Sequence, residues 1–181
     1  MNELNASPPY DEHALGVASR RMSLAIFTAM PELYQYATTI SSGEIDGLSL
    51  KLLIHSPTGD DSRGCLVWVD EVGTPSIGFG PSHTQSEPDY AGIAEILDIL
   101  RAIRADQILI IEDVGGKYSG HGGWIDIREP DALEEELTSP HSPGRVLLKS
   151  WSGKADRAIS IDTLALTDTS VKIPAAIDPD Y

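Results

Sequence analysis

"GCLVWVDEVGTPSIGFGPSHTQ" (residues 64–85) is the stretch on which the fold turns. Its first part, "CLVWVDE" (65–71), is rich in β-branched and aromatic residues and reads as a strand. "VGT" (72–74) is too short for anything but a tight connection, and "PSIGFG" (75–80) then reads as the next strand. Just upstream, "LSLKLLIH" (48–55) alternates Leu48, Leu50, Leu52 and Ile54 with Ser49, Lys51, Leu53 and His55. That two-residue period predicts a half-buried strand. Three strands with short or polar links predict an antiparallel meander, with His83 just past its third strand, where the chain leaves the sheet.

Working outward, the period changes to that of a helix on both sides. Met22, Ala25, Ile26, Ala29 and Met30 predict a helix over 17–30, with Pro31 suited to open a further turn. "SSGEIDG" (41–47) reads as a break. Downstream, Ile93, Ile96, Leu97, Leu100 and Ile103 line one face of a helix. Arg101 and Arg104 fall in its last turns, where the helix dipole favours cations. "QILIIEDV" (107–114) is apolar enough for a central strand covered on both faces. "WIDIRE" (124–129), "GRVLLKSW" (144–151) and "RAISID" (157–162) read as further strands, and "DALEEELT" (131–138) as a short helix opened by Asp131. This order lacks the regular strand–helix alternation of a doubly wound fold. It predicts α+β: a single domain with a largely antiparallel mixed sheet and helices packed on one face. The domain spans 17–165, between a flexible N-terminal arm (1–16) and a C-terminal tail or extension (166–181).

With 181 residues, of which 41% are hydrophobic and 23% charged, the chain is long enough to bury a core. The unusual quantity is the charge: 28 acidic against 13 basic side chains, a formal net of −15. Such a field repels phosphate backbones, which disfavours nucleic acid, and speeds encounter with basic proteins. One cysteine, Cys65, excludes an internal disulfide and a cysteine-rich zinc site, and its apolar neighbours mark it as a small buried hydrophobe. Arg20-Arg21 ahead of a short apolar run loosely resembles a twin-arginine leader. The run stops at Pro31 and no small-residue cleavage site follows, so an amphipathic helix fits better. No run approaches the roughly 18 apolar residues of a membrane span. The expected location is the cytoplasm, with no membrane contact.

The motifs that carry chemistry are thin. "DVGGKYSGHGGW" (113–124) suggests a phosphate loop, but Tyr118 follows Lys117 where Ser or Thr is needed, and no helix opens after it. It reads as a wide hairpin loop presenting Tyr118, His121 and Trp124 for contact. No two of His13, His55, His83, His121 and His141 form HxH or HExxH, so no metal ligand set and no cofactor is expected. Asp70, Glu71, Glu112 and Asp113 lie at predicted strand ends. Glu112-Asp113 with His83 and His121 suggests a carboxylate–histidine rim for a small ligand or enzyme site. No GxSxG nucleophile motif occurs, and no catalytic residue is assigned. Trp151, among Ser150, Ser152 and Lys154, suits an interface anchor or a cap on the core.

"GCLVWVDEVGTPSIGFGPSHTQ" followed by a helix, with "SWSG" (150–153) later, resembles immunity proteins of bacterial polymorphic toxin systems. Those small acidic cytoplasmic proteins often carry a strand of the type V-x-F-x-x-x-H-x-H. Phe79 and His83 match it here, and Gln85 stands in place of the second histidine, which removes a metal reading of that pair. The resemblance implies binding of a basic toxin domain without catalysis. The binding residues expected are therefore His83, Tyr118, His121, Trp124, Trp151, Asp70, Glu71, Glu112 and Asp113, with Trp68 as a further aromatic.

Overall fold

The computed structural model describes residues 10–44, 47–114, 122–133 and 145–160. Their contacts define two compact units. The first takes the described residues up to 55, with 64–78 and 83–100; the second takes 56–63, 79–82 and the described residues from 101 onward. The class is α+β, built on two antiparallel sheets and helices. The strands expected in one sheet are thus divided between two.

The first sheet contains β1 (Ala37–Glu44), β2 (Gly47–Ile54), β3 (Cys65–Val69), β4 (Pro75–Phe79) and β5 (Ser82–Gln85), with spatial order equal to chain order. The meander read at 48–80 is therefore present, extended by one strand at each side. β1 escapes the sequence reading because "ATTISSGE" lacks long apolar alternation. Its Thr38, Thr39 and Ile40 are β-branched, and pairing with β2 from Ala37↔Leu52 to Ile40↔Ser49 holds it in the sheet. β5 occupies the segment expected to leave the sheet. Gly80 adopts φ +60 beside Pro81, and this two-residue turn folds the chain straight back. His83 accordingly lies inside an edge strand, not beyond the sheet.

Alternation on β2 and β3 puts Leu50, Leu52, Ile54, Cys65, Val67 and Val69 on the buried face. Against β2 and β3 packs α1 (Val17–Ala29), which buries Ser19, Met22, Ser23 and Ile26. Full burial of Met22 and Ile26 contributes about 1.5–3 kcal/mol each. The β2–β3 ladder stops at Lys51↔Trp68, and the next N–H along β2, that of Leu50, is taken by Ser19 Oγ at 2.8 Å. Residues 10–16 belong to this packing and not to a loose arm. Leu15 is buried, and Gly16 N donates to the Leu48 carbonyl at 3.0 Å. A six-residue 3-10 turn, Pro31–Tyr36, begins at the proline that the sequence singles out. In α2 (Tyr90–Arg104) the expected stripe is inward, with Ile93, Ile96, Leu100 and Ile103 buried.

The second sheet orders β7 (Gly122–Asp126), β6 (Ile108–Val114), β8 (Arg145–Lys149) and β9 (Arg157–Ser160) side by side. β6 is internal, and Ile108 to Ile111 are all buried, as its unbroken apolar run predicts. One face carries Leu109, Ile111, Ile125, Val146, Leu148 and Ile159 around Leu133. The opposite face carries Ile110, Glu112, Trp124 and Lys149, by the pairings Ile110↔Trp124 and Ile110↔Lys149. The expected helix at 131–138 and the tail at 166–181 fall largely or wholly outside the described residues.

Candidate functional site

In the first unit, Asp70 closes the β3–β4 hairpin. Its Oδ1 accepts from Val72 N at 3.0 Å and Thr74 N at 2.8 Å, while Gly73 at φ +88 supplies the turn. This is a structural carboxylate; Glu71 beside it is exposed. His83 projects from edge strand β5 and is exposed, and its ring lies 6.0 Å from that of half-buried Trp68 at 50°. The pair forms a tilted aromatic contact on the sheet face opposite Cys65, Val67 and Val69. No group within it supplies a base or a nucleophile to the histidine.

In the second unit, Glu112 and Asp113 are adjacent on β6 and therefore leave opposite faces of the sheet. Side chains that leave opposite faces cannot share a carboxylate site on either one. Glu112 instead pairs with Lys149 Nζ at 2.5 Å. The two residues sit diagonally across β6 and β8, since Glu112 opposes Leu147 and Lys149 opposes Ile110. They stand at a cleft of about 370 Å³. Buried Ile110 contributes to its lining along with Gly80, Pro81, Gly122, Asp61 and Ser62. The cleft presents the Lys149 ammonium and the carboxylates of Glu112 and Asp61 beside apolar surface, a set that suits a small zwitterionic or polar ligand. Trp124 shares the sheet face of Glu112 and is half-buried.

The "SWSG" segment is a polar hub that organises the second unit. Arg63 donates from Nη1 to Asp156 Oδ1 (2.8 Å) and to the Ser150 carbonyl (3.1 Å), and from Nε to Asp60 Oδ2 (3.0 Å). Burial works against the Arg63 charge, but hydrogen bonds to Asp156 and Asp60 outweigh it and raise its pKa. Ser56 Oγ donates to the Trp151 carbonyl at 2.6 Å. Ser152 donates from both N and Oγ to the carboxylate of Asp106, a residue at φ +56. Trp151 lies with the Arg104 guanidinium 5.8 Å from its ring centroid and is half-buried.

One serine–carboxylate contact has the look of an activated nucleophile. Ser62 Oγ donates to Asp60 Oδ1 at 2.6 Å. Hydrogen bonding from Ser62 and then from Arg63 holds the Asp60 carboxyl down to about 2. A carboxylate that acidic is a poor proton acceptor near neutral pH, so the pair lacks a competent base. Among the described residues, no three His, Cys, Asp or Glu side chains cluster to hold a metal. No described helix is long and apolar enough to cross a membrane. Tyr118 and His121 lie outside the described residues.

One feature escaped sequence reading. Tyr10, Phe27 and Tyr34 meet edge-to-face, with centroids 5.6, 5.1 and 5.2 Å apart, from three separate segments of the first unit. The only signal was the aromatic residues themselves, and none of the three lies in a motif. No family model, curated protein or solved structure matches the chain.

Proposed function

We propose that this chain is a non-enzymatic binding protein that neutralises a basic protein, in the manner of an immunity protein holding a toxin domain. The observation that carries this reading is how the charge is distributed. Arg63, Arg128 and Lys149 are each committed to carboxylates of the same chain. Such pairs cancel charge of both signs, so the excess of 28 acidic over 13 basic side chains stands and dominates the field. Such a surface steers a basic partner and rejects acidic ones. The likeness of "SIGFGPSHTQ" (76–85) to immunity-protein strands points the same way.

The test is capture of partners from the host's lysate at about 0.05 and 0.3 M salt, followed by purification of what is retained. The expected result is one basic protein, released as salt rises, whose toxicity on expression is relieved by this chain. Retention of acidic proteins only, or of none at low salt, would sink the reading. A second reading is favoured by the cleft at Glu112 and Lys149, which suits a small ligand. Chemical-shift changes confined to Ile110, Glu112 and Lys149 on adding a zwitterionic metabolite mixture would support it.

A further inference from the structure

The tryptophans supply little exposed aromatic surface, yet tight protein interfaces are anchored by clusters of aromatic side chains near charged groups. In the first unit such a cluster is preassembled. Tyr10, Phe27 and Tyr34 hold one another in edge-to-face contact, a geometry contributing about 0.5–1.5 kcal/mol per pair beyond area burial. The cluster is fixed by Phe27 to α1, which buries Met22, Ser23 and Ile26. It is nevertheless open above, with Tyr34 56% and Leu24 66% exposed. Leu24 lies one helical turn before Phe27 on α1, so it extends the same apolar surface.

The surroundings carry three exposed carboxylates, set against the exposed Arg20 and Arg21 of α1, of which Arg21 is drawn over the Tyr90 ring at 5.8 Å. Asp11 and Glu12 follow Tyr10 directly and are exposed, and Glu32 lies in the 3-10 turn that carries Tyr34. Arg20, on the outward side of α1, directs Nη2 to the Leu15 carbonyl at 2.9 Å. Aromatic faces attract guanidinium and ammonium groups, and adjacent carboxylates add to that attraction. From this charge complementarity we infer that the Tyr10–Phe27–Tyr34 cluster, with Leu24 and the carboxylates of Asp11 and Glu12, is the docking surface for arginine or lysine side chains of a basic protein partner. The inference rests on the basic-partner reading and gives it a location. The rigid packing of the rings means that little rotamer freedom is lost on binding, which favours them as anchors.

Two measurements test it. An oligoarginine peptide titrated into the labelled full chain serves as a partner-independent probe. Shift changes are expected at Tyr10, Glu12, Leu24, Phe27 and Tyr34. Changes centred instead on Glu71, Glu87 and Asp89, or spread evenly over the acidic surface, overturn the assignment. With the basic protein captured from lysate and purified, Tyr34→Ala should weaken binding by about 10- to 30-fold. Glu12→Lys should weaken it and flatten its salt dependence, whereas Tyr90→Ala, also exposed but on α2, should change affinity less than about twofold. A retained partner indifferent to Tyr34→Ala and Glu12→Lys, in variants with unaltered circular dichroism, refutes the surface and leaves the basic-partner reading standing. Absence of any basic partner for the unmodified chain refutes both.

Discussion

Replacing Gly80 by alanine tests whether the β4–β5 turn is held by backbone conformation, by contact, or by both. Gly80 has φ +60, where an L side chain costs about 1–2 kcal/mol. A β-carbon there would also stand 2.6 Å from Ile110 Cδ1, 2.8 Å from Cγ1 and 3.3 Å from Cγ2. Ile110 is 3% exposed and held at the cleft wall, so relief requires its side chain to leave its present rotamer or the backbone to shift. Overpacking of that kind costs about 1–3 kcal/mol, giving about 2–5 kcal/mol in all. Gly59 isolates the conformational part. It has φ +76, but a β-carbon there meets nothing within 4 Å, so Gly59→Ala should cost only about 1 kcal/mol.

Ile110→Ala supplies the remaining corner. It removes all three atoms that the added methyl group would strike, at a cost of its own of about 2–5 kcal/mol. In that background the methyl group at position 80 enters vacated space. Gly80→Ala should then cost no more than Gly59→Ala, leaving a coupling of about 1–3 kcal/mol between positions 80 and 110. Urea unfolding followed by tryptophan fluorescence measures each corner of the cycle. Additivity within about 0.5 kcal/mol would refute the claim that the turn rests on Ile110.

Ser19→Ala should destabilise the chain by about 1–3 kcal/mol, read by the same unfolding assay, because the buried Leu50 N–H loses its partner. Asp60 should titrate near pH 2 by carboxyl-carbon NMR, and Ser62→Ala should move its midpoint up toward 3.8. Because its folded pKa is depressed, the stabilising contribution of Asp60 is full above about pH 4 and is lost as pH falls toward about 2; a midpoint left in place by Ser62→Ala would contradict the assigned cause. Lys149→Met should change stability by less than about 1 kcal/mol, since the Glu112–Lys149 pair is partly exposed. A larger loss would mean that the lysine supports the cleft wall by more than its charge.

Periodicity made much of the fold legible. The stripe on α2, the alternation on β2 and the buried run of β6 each need only a repeating apolar pattern, and each is found where the pattern lies. β1 and β5 were illegible for different reasons. β1 is a polar, small-residue segment whose strand character comes from its neighbour β2, and tertiary pairing leaves no local mark. β5 hid behind Gly80-Pro81, a dipeptide that marks a turn without saying whether the chain returns to the sheet. The site was less legible still. Adjacency in sequence suggested that Glu112 and Asp113 act together, whereas the two-residue period of a strand sends them apart. The Tyr10–Phe27–Tyr34 cluster gathers residues whose successive separations are 17 and 7 positions, and no spacing rule covers an irregular segment, a helix and a 3-10 segment at once.

The negative charge itself has two components that the sequence merges. Asp11, Asp60, Asp70, Asp89, Asp106, Asp126 and Asp156 each accept a backbone N–H, so their carboxylates fasten turns, helix starts and the "SWSG" segment. Their short side chains reach the local backbone, which the longer glutamate does less readily. Glu12, Glu71 and Glu87 stand exposed, each within two residues of such an aspartate. The aspartates thus contribute to the net −15 as a consequence of building loops, and the glutamates add charge beyond that need. Changing an aspartate confounds lost charge with a lost cap, so weakened binding in Asp70→Ala would say little about Asp70 as a contact. Glutamate substitutions separate the two. If Glu12→Gln weakens association while Glu71→Gln and Glu87→Gln do not, the effect belongs to the aromatic surface and not to the overall field, because all three remove the same unit of charge.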